Sequence, residues 1–94
     1  MANDTRIQLQ KTIEMRETVK SFAAILTQKM NNLEDTLAQY VNAGFPEDIA
    51  ETYHGYYYTP DRAIIDELSK DMITHHVDFL NRVIADLQGA GDEK

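Results

Sequence analysis

Histidine and carboxylate side chains at helical spacing are the first candidates for chemistry in this sequence. Glu51 and His54 stand three residues apart and share one face of a helix, and Asp48 or Asp61 lies close enough in sequence to join them. Such pairs hold metal ions in helical bundles when carboxylates on neighbouring helices also point inward. The carboxylates of the first half of the chain lie off its apolar stripe, at Glu14, Glu17, Glu34 and Asp35. We therefore expect neither a metal nor a cofactor.

Two further groups of side chains bear on catalysis. His75 and His76 are adjacent, and His76 falls on an apolar stripe, which favours a partly buried, hydrogen-bonded histidine with a role in pH-dependent association. Ser21 and Ser69 lie within predicted helices without a patterned histidine nearby, and no glycine-rich phosphate loop is present. The sequence predicts no catalytic residue, and we expect the protein not to be an enzyme.

Four tyrosines between residues 53 and 58 are the most unusual local feature. Tyrosine offers rigid apolar area with a polar tip, which is typical of binding hot spots. The alternative is that the rings fold back and cap the end of a helical hairpin. One or two tyrosines can serve each purpose, so both interpretations stay open. The residues predicted to contact a partner are Phe45, Tyr53, Tyr56, Tyr57 and Tyr58.

The elements that carry these side chains are predicted to be helices. Asp4 and Thr5 are good N-cap residues, and no glycine or proline interrupts the chain from there to residue 42, so we expect the first helix over 5–42. Gly44 stands where a helix C′ residue belongs, and Pro46 suits the first turn of the next helix.

The second half of the chain is predicted to form two more helices and a tail. A short helix over 46–54 has acidic residues in its first turn and is weakened by Gly55. Thr59-Pro60-Asp61 is typical of a helix start, which predicts a last helix over 60–88. The polar residues 89–94 are expected to be a disordered tail.

Apolar residues recur at helical spacing in both long helices. The first helix carries one stripe, at Met15, Val19, Phe22, Leu26, Met30, Leu33, Leu37 and Tyr40. The last helix carries two, the first at Ile65, Leu68, Met72, His76, Phe79 and Val83. Its second stripe, the predicted dimer surface, consists of Ile73, Val77, Leu80, Ile84 and Leu87. Because the first helix covers only one of these stripes, we expect an all-α antiparallel hairpin that pairs with a second copy into a four-helix bundle. The alternative is that a different protein covers the second stripe.

Composition narrows the partners further. The 94 residues, expected to form a single domain, include 16 acidic and 9 basic residues, a formal net charge of −7, which repels nucleic acid and anionic lipid. No cysteine supplies a disulfide or a thiolate metal site. Neither a signal peptide nor an apolar run long enough to cross a bilayer is found. We expect a location in the cytoplasm, or secretion without a cleavable signal.

Two helices joined by a short turn with an aromatic residue, in a chain of this length, resemble the WXG100 (ESAT-6-like) superfamily over about residues 8 to 88. The Trp-x-Gly turn of that family falls at Phe45-Pro46-Glu47, so Phe45 stands where the family has tryptophan. The resemblance implies a small bacterial protein whose hairpins pair into four-helix dimers, with a role as a substrate or accessory protein of type VII secretion.

A second resemblance supports a different function. Tyr57-Tyr58-Thr59-Pro60-Asp61 is similar to the Tyr-Tyr pair ahead of a proline in the small acidic immunity proteins of nuclease bacteriocins. It implies an acidic inhibitor of a basic toxin, and a phage or plasmid adaptor would use the same chemistry. Charge would steer such a partner, and tyrosines would anchor it. The sequence therefore predicts an acidic protein-interaction module and leaves the partner open.

Overall fold

A computed structural model describes the backbone of residues 2–92 and the side chains of residues 4–89. Within that range the chain forms no strand, which confirms the all-α class. None of the helices in residues 2–92 has the length and apolar composition needed to cross a bilayer. The α-helices are α1 (Ala2–Asn42), α2 (Glu47–Tyr53), α3 (Thr59–Asp71) and α4 (Val77–Asp92). Two π-helical segments join the last three: the first π segment (His54–Tyr58) and the second π segment (Met72–His76).

The first helix ends where the sequence predicts, at Asn42, and begins earlier than predicted. Asp4 lies inside the first turn of α1 rather than at its N-cap, where the unpaired N–H groups still favour a carboxylate. At the other end Gly44 adopts a φ of 115°, in the left-handed region that glycine tolerates best. The Phe45 N–H donates to the Tyr40 carbonyl at 2.8 Å and the Gly44 N–H to Val41 at 3.1 Å, the two bonds of a Schellman motif.

The second helix starts one residue later than expected. Pro46 has a ψ of 126°, which is extended, so it precedes α2 as its N-cap instead of opening the first turn. Its carbonyl oxygen accepts the first helical hydrogen bond from the Ala50 N–H at 3.0 Å. Glu47 and Asp48 occupy the first turn, where the positive end of the helix dipole stabilises carboxylates.

The predicted break between residues 54 and 60 is wrong, because helical backbone continues from Glu47 to Asp92. In the first π segment the Thr59 N–H donates to the His54 carbonyl five residues back, and Gly55 is a helical residue. Pro60 has no N–H, and in a regular α-helix its ring clashes with the carbonyl four residues earlier. The wider π turn directly before the proline accommodates that ring. Residues 89–92, predicted as tail, are also helical, and residues 93 and 94 lie outside the described range.

The second π segment changes which residues face inward after it. The Val77 N–H donates to the Met72 carbonyl, so one extra residue is inserted into the helix. Positions beyond it therefore lie one residue later than α-helical spacing predicts. His76 and Phe79, expected on the inner stripe, are both exposed. The buried or half-buried residues after Met72 are Val77, Leu80, Val83, Ile84 and Leu87, and of these only Val83 belongs to the predicted inner stripe.

The two stripes predicted for the last helix are thus largely consecutive parts of one inward face. Met72 belongs to the first stripe and Ile84 to the second, yet both are buried in the same chain, at 8% and 6% exposure. Ile73, also assigned to the second stripe, is 45% exposed. The reasoning that a second copy must cover the second stripe loses its basis, and a dimeric bundle stays a prediction.

The inward face of α1 also differs from the predicted stripe. Val19 is buried at 7% exposure, but the most buried residue is its neighbour one turn on, the small Ala23, at 1%. Counting only large apolar side chains missed this position, where an alanine lets another helix approach closely. The predicted stripe residues that are exposed are Met15, Phe22, Leu33 and Tyr40.

Contacts divide the chain into two compact units. The first unit consists of the described residues of Met1–Ala23 and Lys70–Lys94. In it, Arg16 Nη1 of α1 donates a hydrogen bond to Asn81 Oδ1 of α4 at 3.0 Å. Arg16 Nε also donates to Glu17 Oε2 at 2.9 Å, and this bond holds the pKa of Glu17 below its ordinary value. The buried residues of the first unit are Val19, Ala23, Met72 and Ile84.

The second unit is Ala24–Ser69, an antiparallel pair of helices joined by the turn after Asn42. The direction follows from two contacts: His54 bonds to Glu34, and Tyr58, four residues later, bonds to Met30, four residues earlier. Ala50 and Tyr58 are its buried residues, at 6% and 4% exposure.

The two internal glycines provide a matched test of this description. Neither would meet another atom within 4 Å if it carried a Cβ, so an alanine at either position acts through the backbone alone. Gly44→Ala should lower the free energy of unfolding in urea by about 1–2 kcal/mol, since its φ is left-handed. Gly55→Ala should raise that free energy by about 0.5–1 kcal/mol, because residue 55 is helical. A destabilising Gly55→Ala would mean that the helix breaks there after all.

Candidate protein interface

Tyr58 is the structural tyrosine of the cluster. Its side chain is 4% exposed, and its hydroxyl donates a hydrogen bond to the Met30 carbonyl oxygen of α1 at 2.9 Å. The same hydroxyl accepts a hydrogen bond from Arg62 Nη1 at 2.8 Å. Its ring stacks on the His54 ring, with centroids 4.7 Å apart and planes 20° apart. Tyr58 therefore fixes the position of the helix that carries it against α1.

Arg62 supports Tyr58 from one turn further along α3. Its Nε donates to both carboxylate oxygens of Asp66, at 3.0 and 3.2 Å. The hydrogen bonds to the Tyr58 hydroxyl and then to Asp66 raise the pKa of Arg62 above its ordinary value. The guanidinium is thus held between the Tyr58 hydroxyl and the Asp66 carboxylate, and its orientation keeps the Tyr58 hydroxyl directed at α1.

The structure gives His54 a different partner from the one that the sequence suggests. His54 Nε2 lies 2.8 Å from Glu34 Oε2 on α1, and its Nδ1 lies 3.4 Å from the Thr59 hydroxyl. Glu51 does not take part in these bonds. Within the part of the chain whose side chains are described, no three His, Asp or Glu residues are placed to share a metal ion. The cross-helix pair holds α1 and the first π segment together.

An open groove lies beside Tyr58 on the surface of the Ala24–Ser69 unit. We call it the aromatic groove; its volume is about 690 Å³. Tyr53 and Tyr57 both line it, their rings stacked with centroids 6.2 Å apart. The remaining residues that line the aromatic groove are Met30, Leu33, Tyr58, Asp61, Ile64 and Ile65.

A smaller depression of about 200 Å³ extends this apolar surface toward the helix turn. It shares Leu33 and Tyr53 with the aromatic groove, so the two are contiguous. Tyr40 and Phe45 line its far side and are 60% and 38% exposed. Apolar side chains therefore cover one stretch of this unit from Ile64 to the turn.

The tyrosines predicted to face a partner divide into two groups. Tyr56 and Tyr57 are 77% and 64% exposed, and Tyr53 is half-buried in the groove wall. Tyr58 is not available to a partner, because it is buried and hydrogen-bonded, so the prediction that it anchors a partner is wrong. The two alternatives of the sequence analysis thus apply to different residues. The partner role of the exposed tyrosines and of Phe45 stays a prediction.

A second depression, of about 450 Å³, shares no lining residue with the aromatic groove. Three carboxylates line it, from Glu34 on α1 and from Glu47 and Glu51 on α2, together with the His54 ring. This surface is acidic, whereas Asp61 is the one charged residue among those described as lining the aromatic groove.

Charge is distributed unequally between the two units. Residues 24–69 contain eight Asp and Glu and two Lys and Arg, a formal net charge of −6 out of −7 for the chain. The remaining residues therefore account for −1. Acidic residues are divided equally between the units, eight in each, so the unit with the aromatic groove has nearly all of the net negative charge because it contains few basic residues.

The other predicted site residues lie outside this surface. His75 and His76 are exposed, and both Nε2 atoms lie 3.7 Å from Asp71 carboxylate oxygens, so His76 is not the inner-stripe histidine expected. The second π segment explains this, since it shifts the inward register by one residue. Among the predicted dimer residues, Ile84 is buried within the chain, and Val77, Leu80 and Leu87 are half-buried.

Comparison with protein-family models, curated proteins and solved structures gave no match to this chain. The WXG100 layout and the Tyr-Tyr-Thr-Pro resemblance therefore rest on the residues quoted for them alone.

Proposed function

We propose that this protein is a non-enzymatic interaction module that binds a basic protein through the Ala24–Ser69 unit. The observation that carries the proposal is the coincidence, in one unit, of a net charge of −6 and a contiguous exposed aromatic surface. Charge of one sign accelerates encounter with an oppositely charged partner, and exposed tyrosines supply short-range affinity. An acidic inhibitor of a basic toxin, or an adaptor for a basic protein, fits this description.

The arrangement of side chains supports binding over catalysis. Among the described residues that line the aromatic groove, the polar ones are three tyrosines and Asp61, and none is a histidine or a serine. The cross-helix pair of Glu34 and His54 joins two elements of the scaffold. A scaffold that presents exposed aromatic rings is typical of an interface.

Photo-crosslinking tests this proposal. A photoreactive residue at Tyr56, which is 77% exposed and outside the aromatic groove, should capture one basic protein in cells of the source organism. Capture should decrease as salt rises, because the encounter is electrostatic. The same residue at Gln10, exposed on the other unit, should capture much less of that protein. An acidic partner, or adducts only between copies of this chain, would refute the proposal.

A second candidate function is favoured by the other unit. Large apolar side chains are exposed there although its net charge is only −1, so two copies can meet with little repulsion. A homodimer built in this way agrees with the WXG100-like layout and with a role in type VII secretion. The exposed large apolar residues among the described part of this unit are Ile7, Met15, Phe22, Ile73 and Phe79.

Light scattering on matched variants tests the dimer. The unaltered protein should have twice the mass of the 10.8 kDa chain. Phe79→Glu should yield a folded monomer, because Phe79 is 58% exposed in the single chain and a charge cannot be buried between two copies. Ile64→Glu, at a 65% exposed position of the acidic unit, should leave the dimer intact. A mass of one chain for the unaltered protein contradicts the homodimer.

A further inference from the structure

No interaction among the described side chains explains why a carboxylate is found at position 61. Asp61 is the one charged residue lining the aromatic groove, and among the described side chains it forms neither an ion pair nor a hydrogen bond. The sequence explains Asp61 as a residue at a helix start, where the unpaired backbone N–H groups favour a carboxylate. That explanation fails, because helical backbone runs continuously from His54 through Asp61, so no helix starts there. An unpaired carboxylate therefore stands beside apolar rings.

The neighbours of Asp61 define what would pair with it. Tyr57 lies one helical turn earlier on the same side, and its ring is stacked on Tyr53. A cation held by the carboxylate would lie against tyrosine faces, whose negative electrostatic potential attracts it. Guanidinium suits this position better than ammonium, because it is planar, stacks on aromatic rings and binds a carboxylate with two hydrogen bonds.

We propose that the aromatic groove binds a partner segment that presents an arginine to Asp61 and a large apolar side chain to Leu33 and Ile64. The proposal rests on the proposed function and specifies its binding site. A volume of about 690 Å³ suits a few side chains of one segment. A second copy of the acidic unit is disfavoured as the occupant, because it would bring −6 against −6.

Synthetic peptides test the chemistry of the groove without knowledge of the natural partner. The probe is a fluorescently labelled helical peptide with arginine and leucine in successive turns, and its binding is measured by fluorescence anisotropy. Two matched peptides replace every arginine by glutamate or every leucine by serine. The arginine–leucine peptide should bind, and both replacements should abolish measurable binding.

Variants of the protein assign that binding to the groove. Tyr57→Ala should lower the affinity for the peptide about 30-fold, the equivalent of about 2 kcal/mol for a hot spot. Tyr56→Ala, outside the groove, should change that affinity less than about twofold. Asp61→Asn should weaken it about fivefold, in line with an exposed ion pair. Asp35→Asn removes the same charge from an exposed position outside the groove. Its loss of affinity for the peptide should be less than about half of the loss in Asp61→Asn. Circular dichroism verifies that each variant is folded.

Each other outcome overturns the groove proposal. Equal losses for Asp61→Asn and Asp35→Asn would mean that the peptide responds only to overall charge. Full affinity in Tyr57→Ala would place the peptide elsewhere, and absence of binding would exclude this ligand chemistry. A change from dimer to monomer in Tyr57→Ala would identify a second copy as the occupant. The outcome of photo-crosslinking at Tyr56 does not depend on these peptide measurements, so the groove proposal can fail while the proposed function stands.

Discussion

The hydrogen bond from the Tyr58 hydroxyl to the Met30 carbonyl is the interaction on which the surface of the Ala24–Ser69 unit depends. Its net contribution to stability is about 1 kcal/mol, but leaving the buried hydroxyl unpaired would cost about 1–3 kcal/mol. The chain therefore has one favourable way to seat this ring, with Arg62 holding the hydroxyl from the other side. Once Tyr58 faces α1, the adjacent Tyr57 points to a different side of the helix, and it is 64% exposed.

The π segments change which residues face inward along the helix that follows them. In a regular α-helix, α-helical spacing alone would decide which residues face inward, and that spacing predicts Phe79 on the inward side. One inserted residue in the second π segment moves Phe79 outward and Ile84 inward. The exposed aromatic and apolar residues are thus a consequence of backbone register, and π segments of this kind are often found at functional sites.

Much of the fold was predictable from local signals. The end of α1 followed from Gly44, since a left-handed residue after a long uninterrupted helix predicts a Schellman motif. Gly55 and Pro60 gave the same kind of signal and misled, because the helix continues through a π segment that contains Gly55 and ends just before Thr59 and Pro60. The candidate site was predictable as a tyrosine cluster. Which tyrosine is buried was not, because that depends on a cross-helix bond to a backbone carbonyl that sequence patterns do not encode.

Nitration of the native protein with tetranitromethane, followed by mass spectrometry of each tyrosine, tests this account most directly. The reagent modifies rings that solvent can reach, so it reports which side chains face outward. Tyr56 and Tyr57, at 77% and 64% exposure, should be nitrated first, while Tyr58, at 4%, should stay unmodified until the protein unfolds. Nitration of Tyr58 as fast as Tyr57 in the folded protein would contradict the claim that its hydroxyl is fixed on Met30 and that the groove is built around it.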